Sequence, residues 1–257
     1  MATFLFSELV FGPVKSRRLG VSLGINLLPT DCKVCNYNCI YCECGWTMDM
    51  KSRSLPKADD ILVALEQRLI EMHAKNEKPD VITFAGNGEP TMHPQFADIV
   101  DGVIDLRNRF CADARVAVLS NATLASRPAI AAALHKIDDN ILKLDSAYHA
   151  TLQLLNKPTG IITPEKIIEG LLLYKQQFIL QTMFLKGEFE GQNVDNTSKD
   201  EIDAWLNVIK QTQPRKIMIY TLDRDTPAKG LIKLTLNELE EVANQARMLG
   251  YEVQVSG

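Results

Sequence analysis

The chain has 257 residues, with 28 lysines and arginines against 32 aspartates and glutamates, a net charge of −4. Hydrophobic residues make up 46% and charged residues 23%, a balance that builds one large packed domain and excludes a disordered chain. The acidic excess argues against nucleic-acid binding driven by bulk charge. No apolar run approaches the roughly 18 residues of a membrane helix, and the opening MATFLFSELVF lacks the basic lead and small-residue cleavage site of a secretory signal.

Extended apolar stretches and helical patterns alternate along the chain. The stretches are residues 21–28, 80–85, 115–120, 140–145, 178–185, 216–222 and 251–255. After Pro56, Ile61, Leu62, Leu65, Leu69 and Met72 recur at helical spacing, and Phe96, Ile99, Val100, Val103, Ile104 and Leu106 form a second such face. Thr163-Pro164 supplies an N-cap and a first-turn proline to a later helix. Thr235 with Glu238 reads as a capping box, and Gly250 as the stop of the helix it opens.

Strands alternating with helices predict an α/β fold with mainly parallel strands and right-handed crossovers. Six or seven units suit a partial or full (β/α) barrel, with an open doubly wound sheet as the alternative. The chain reads as one domain over residues 1–257, with a core at about 20–222, a short N-terminal extension and a C-terminal βα-type extension. Residues 187–197 (GEFEGQNVDNT) are polar and contain glycine, which predicts a loop.

Five of the six cysteines lie between Cys32 and Cys44, and the sixth is Cys111. A secreted disulfide framework would spread them, so the cluster points to a metal or redox site in a reducing cytoplasm. Cys32/Cys35 and Cys39/Cys42 stand too close together for the usual zinc knuckle. Cys32-x-x-Cys35 matches a thioredoxin-like pair in spacing alone. The bacterial ferredoxin run differs in spacing and carries a proline that is missing here. The remaining pattern is Cys35-x3-Cys39-x2-Cys42. Three thiolates at that spacing can hold three irons of a [4Fe–4S] cubane and leave the fourth open, as a catalytic cluster requires.

This motif resembles the C-x3-C-x2-C signature of the radical SAM superfamily. The aromatic residue that the signature has before its third cysteine is Tyr41 here, and the resemblance implies that it packs on the adenine of S-adenosylmethionine (SAM). Gly86-Asn87-Gly88-Glu89-Pro90 resembles the family's G-G-E-P motif, which binds the SAM amino group. Asn87 replaces one glycine, a residue that also tolerates unusual turn dihedrals. Ser120-Asn121 resembles the ribose-contacting strand end, and Leu144-Asp145 a later strand end. These motifs follow one another at successive strand ends. Residues 11–25 resemble a subgroup of uncharacterised iron–sulfur oxidoreductases related to wyosine-type enzymes.

The resemblance implies a radical SAM enzyme with Cys35, Cys39 and Cys42 as iron ligands and Tyr41, Gly88, Glu89, Pro90, Ser120, Asn121 and Asp145 around SAM. In the family a reduced [4Fe–4S] cluster cleaves SAM reductively, and the resulting 5′-deoxyadenosyl radical abstracts hydrogen from a substrate. The implied partners are an external one-electron donor of flavodoxin or ferredoxin type and a substrate that is a small molecule, a protein or a tRNA base. The alternative is a non-catalytic iron–sulfur electron-transfer or metal-binding protein. No H-E-x-x-H pattern occurs, and of the four histidines only His93 stands near a motif. Cys32, Cys44 and Cys111 are candidates for a second cluster. Lys15, Arg17, Arg18, Lys33, Lys51 and Arg53 form basic groups near the motif that suit either an anion or a solvated face. Asp223 and Arg224 end a late strand, facing a barrel mouth or pairing structurally.

Overall fold

The structure, a computed structural model, describes residues 4–16, 18–47 and 54–257. Arg17, Lys51 and Arg53 therefore lie outside the described residues. The strands are β1 (Val10–Ser16), β2 (Gly20–Ile25), β3 (Val81–Phe84), β4 (Arg115–Ser120), β5 (Asp139–Lys143), β6 (Phe178–Met183), β7 (Leu185–Phe189), β8 (Gln192–Asp195), β9 (Lys216–Tyr220), β10 (Leu231–Lys233) and β11 (Val253–Ser256). The helices are α1 (Ala58–Ala74), α2 (Phe96–Phe110), α3 (Pro128–Leu134), α4 (His149–Asn156), α5 (Pro164–Leu171), α6 (Lys199–Thr212) and α7 (Leu236–Arg247).

One sheet runs β1-β2-β3-β4-β5-β6-β9-β11, parallel throughout except for the β1–β2 hairpin. The strand order never reverses, which rules out the doubly wound alternative, because that fold needs a switch point. Alternate residues separate the two faces. Ile82, Phe84, Val116 and Val118 point outward into one core with the apolar faces of α1, α2, α6 and α7. Val81, Ala117, Ile141, Ile179 and Met218 point inward and meet around Leu19. One buried cluster thus joins the β1–β2 turn to the inner face of five strands. Gln254 of β11 also donates to the Arg18 carbonyl at 3.5 Å, so the last strand reaches back to the first hairpin. The sheet is a half-barrel, the partial form of the barrel expected from sequence. Among the described residues no helix is long and apolar enough to cross a membrane.

The predicted loop at 187–197 is instead mostly a hairpin. β7 and β8 pair antiparallel, and β10 adds a third strand. Glu190 and Gly191, at φ 52° and 74°, give the turn both positive-φ residues that favour a tight hairpin. Val194 is the one buried apolar side chain between residues 187 and 197, too little alternation to reveal a strand. At the far end, Thr235 accepts from Glu238 N, and the Glu238 carboxylate accepts from Thr235 N at 2.8 Å, completing the capping box. Gly250 takes φ 89° just beyond α7.

Candidate active site

The C-terminal ends of the parallel strands carry the motifs, and hydrogen bonds tie the cysteine loop across them. Val34 N donates to Asn87 O at 2.8 Å and Glu89 N to Val34 O at 3.0 Å, joining the loop to the turn after β3. Gly88 has φ +135°, and a Cβ there would come within 1.8 Å of Val34 O, so only glycine permits this approach. Further along, Asn38 N donates to Asn156 O and Ile40 N to Leu155 O, anchoring the loop on α4. Asn121, after β4, donates to Asn36 Oδ1 at 2.7 Å and to Cys35 Sγ at 3.7 Å.

Asn87 does not take the positive φ anticipated for it; Gly86 and Gly88 do. Its buried side chain binds elsewhere. Nδ2 donates to the Phe6 and Pro29 carbonyls, each at 2.9 Å, and Oδ1 accepts from Phe6 N. The departure from a glycine pair therefore fastens the N-terminal segment to the site.

Glu89 is buried and draws three motif residues together. Oε1 accepts from Thr91 N at 3.1 Å, Thr91 Oγ1 at 2.5 Å and Ser120 Oγ at 2.8 Å. Oε2 accepts from Asn121 N at 2.7 Å. A carboxylate oxygen has two lone pairs, so Oε2 keeps one open. Burial pushes the Glu89 carboxyl above the ordinary carboxylate range, against the pull of its hydrogen bonds from Thr91, Asn121 and Ser120. A cation arriving at Oε2 would reverse that shift.

Tyr41 and Asp145 form a second centre. Tyr41 donates its hydroxyl to Asp145 Oδ2, and Asn156 Nδ2 donates to both, each at 2.7 Å. Asp145 Oδ1 accepts from Met183 N at 3.0 Å and pairs with Lys143 Nζ at 2.9 Å. The Asp145 oxygens are thereby fully engaged with protein donors, so this carboxylate acts through Tyr41 and Lys143. Lys143 also donates to the Tyr220 hydroxyl at 2.6 Å. Burial would lower the Lys143 pKa, but Asp145 and Tyr220 outweigh it and hold the ammonium above its ordinary range. Asn156, which sequence reasoning did not single out, reaches Cys39 Sγ at 3.4 Å and so links this centre to the loop.

The three candidate thiols differ in acidity. Burial raises Cys35 and Cys39. A hydrogen bond from Cys44, helped by the Lys33 ammonium, holds Cys42 low, at about 6. Among the described residues no three His, Cys, Asp or Glu side chains gather to hold one metal ion. Ligands of a cubane each bind a different iron and stand farther apart.

The comparisons bear directly on this arrangement. Residues 31–195 match the family model of the Radical SAM superfamily. The chain belongs to the radical SAM superfamily. It is 30% identical to "GTPase Obg" of Brachyspira hyodysenteriae over 92% of its length, but spans only 33% of that protein. It is 31% identical to a UPF0026 protein of Methanocaldococcus jannaschii, covering 88% of this chain and 66% of the relative. The chain thus spans a third to two thirds of these relatives. Among solved structures, Streptococcus suis SuiB bound to precursor peptide SuiA superposes with a TM-score of 0.65 at 15% identity, over 91% of this chain and 48% of that one. TYW1 with a lysine-pyruvate adduct bound gives 0.61 at 16%, over 88% and 73%. At such identities these two show a shared fold alone.

Radical SAM enzymes use a [4Fe–4S] cluster and SAM, and the residues present fit both. Three thiols sit on one loop with N–H donors aimed at two of the sulfurs, and Glu89 keeps an open acceptor with no cation among the described residues to fill it. The other candidates are placed elsewhere. His93 is buried, its Nε2 on the Pro56 carbonyl at 2.8 Å and its Nδ1 accepting from Gln95 N, a purely structural clamp. Cys32 packs with Leu28 and Val34. Cys111 caps the end of α2, beside Asp80 and Arg115 at the opposite end of the sheet. The structure does not bring Cys32, Cys44 and Cys111 together. Arg224 pairs with Glu43 of the loop at 2.8 Å. Both line a cleft of about 480 Å³ that also exposes Cys42 and Leu222, while Asp223 lines an adjoining one.

Proposed function

We propose that this chain is a radical SAM enzyme in which Cys35, Cys39 and Cys42 bind the cluster and Glu89 receives the SAM ammonium. When bound, the cluster supplies one electron that splits SAM to methionine and a 5′-deoxyadenosyl radical able to take hydrogen from a substrate. The observation that carries the reading is Glu89, a buried carboxylate with one unclaimed lone pair and no cationic partner among the described residues. Ionising such a group is costly unless a charge meets it, and an ammonium ligand is that charge.

The chain's own residues then orient and enclose. Gly88 and Pro90 shape the turn that presents Glu89, with Pro90 opening a short helical turn whose first N–H groups Glu89 itself caps. Ser120 and Asn121 hold the carboxylate; Ser120 Oγ, which donates to Glu89 and accepts from Ala122 N, keeps one lone pair for a ribose hydroxyl, while the Asn121 amide is engaged with Asn36, Cys35 and Thr123. Tyr41 presents its ring with its hydroxyl locked by Asp145 and Asn156, and the Lys143 ammonium lies 4.9 Å from the ring centroid. A substrate of small-molecule size fits the cleft beside Cys42, and the reducing electron comes from an external one-electron donor.

The test is anaerobic reconstitution with iron and sulfide, reduction, and EPR with and without SAM. A [4Fe–4S]⁺ signal whose shape changes on adding SAM is the expected result. A cluster indifferent to SAM would leave an electron carrier, and a chain that binds zinc but assembles no cluster would remove the reading.

A further inference from the structure

Lys33 has one of the largest fully buried side chains in the molecule, 2% exposed, although lysine is almost never buried unless paired. Its Nζ donates to Gly45 O at 3.1 Å. It hydrogen-bonds Cys42 and lies within electrostatic reach of Cys39 and Cys35. Among the described residues it meets no carboxylate. A buried ammonium with no carboxylate beside it is costly until negative charge gathers at the neighbouring sulfurs.

We propose that Lys33 is a fixed counter-charge for the cluster, a positioning residue that raises its reduction potential. This rests on the cluster reading above. Three thiolates around the iron–sulfide core leave a net negative charge, and reduction adds one electron without forming or breaking a bond or moving a proton. A buried ammonium at the sulfurs favours the more negative, reduced state, and the low dielectric of the site strengthens that preference. The Asn121 and Asn156 amides on Cys35 and Cys39 act in the same sense but carry no net charge. Lys33 is the one cationic side chain of the loop, and it hydrogen-bonds Cys42, the thiol bordering the open cleft.

The experiment is an EPR-monitored redox titration of reconstituted wild type, Lys33→Met and Lys33→Arg, under anaerobic conditions with dithionite and mediators. Iron and sulfide content, read first, shows whether a cluster is present. Lys33→Met should lower the one-electron equilibrium constant with a given donor at least tenfold, a fall of about 59 mV or more, while Lys33→Arg stays near wild type. Melting gives an independent readout. Cluster-free Lys33→Met should be at least as stable as cluster-free wild type, and the order should reverse once both are loaded. Equal potentials in wild type and Lys33→Met overturn the proposal but leave the cluster reading intact. If Lys33→Met folds and fails to load, Lys33→Arg decides: loading at the wild-type potential supports the charge, and failure of both makes shape the requirement and overturns it. A wild type that assembles no cluster overturns both.

Discussion

Glu89 has the least comfortable environment of the motif residues, and that gives it a readable pH signature. Its folded pKa is raised, so the ligand-free fold binds a proton there more tightly than the unfolded chain does. Its contribution to stability is therefore favourable at low pH and is lost as pH rises through the folded value. SAM binding runs the other way, because only the carboxylate attracts an ammonium. The SAM dissociation constant of the loaded protein should rise as pH falls through that pKa. Glu89→Gln should weaken SAM about 30-fold or more, the about 2 kcal/mol expected when one partner of a buried charge pair is removed, and should abolish the pH dependence. Isothermal titration across pH 5–8 checks both, and an unchanged affinity in the variant would take Glu89 out of the site. At this scale the sequence shows which residues share a motif but not who holds them. Glu89, Ser120 and Asn121 were visible because they sit in recognisable strings. Asn156 lies 117 positions from the sulfur it reaches, and the sequence marks Lys33 only as one of several basic residues near the motif. Their partners are made by tertiary folding and leave no local pattern.

Elements were legible in proportion to how strongly one period governs them. Six of the seven parallel strands carry mostly buried runs, as β3 and β6 show with every residue buried; β11 buries Val253 alone, and all seven are marked in the sequence. Strands β7, β8 and β10 are short and half-exposed, and β1 is broken by Gly12-Pro13, so none announced itself. Helix α7 is the opposite case, because its start is written in Thr235 and Glu238. Three hydrogen bonds join that pair, and Lys186 of β7 adds an ion pair at 2.9 Å. The backbone N–H of Thr235, then Lys186, hold the Glu238 carboxyl down, at about 2. A depressed carboxylate adds stability above its unfolded pKa of about 4.3 and loses it as pH falls toward 2. Glu238→Gln should thus melt below wild type at pH 7, with the gap closing between pH 4 and pH 2. Thr235→Ala, which removes the cap oxygen and one donor to the Glu238 carboxylate, should cost about 1 kcal/mol at pH 7 and keep part of that gap below pH 2, where the capping of Glu238 N is still lost. Circular-dichroism melts over that range separate the two, and a pH-independent gap for Glu238→Gln would mean its charge contributes nothing.

The whole molecule depends on curvature, which neither periodicity nor motif order reveals; sequence alone left a barrel and an open sheet both standing. The strand order, which never reverses, separates them. Leu19 marks one end of the curled sheet: it is 8% exposed, lies in the turn between β1 and β2, and shares one buried cluster with Val81, Ala117, Ile141, Ile179 and Met218 from five strands. Two residues further along the strands, on the same face, stand Thr83, Lys143, Gln181 and Tyr220. The apolar plug closes one end of the half-barrel and the polar layer begins above it, below Tyr41 and Asp145. Leu19→Ala should therefore leave a cavity at the floor and cost about 2–3 kcal/mol, the lower part of the usual range because the site is an end of the barrel. In urea, the midpoint should fall with an unchanged slope, since the folded and unfolded surfaces stay nearly the same. SAM affinity should hold, because the polar layer separates the plug from Glu89. A loss under about 0.5 kcal/mol, typical of a surface substitution, would mean that the five strands do not close around this residue and that the curl has another cause.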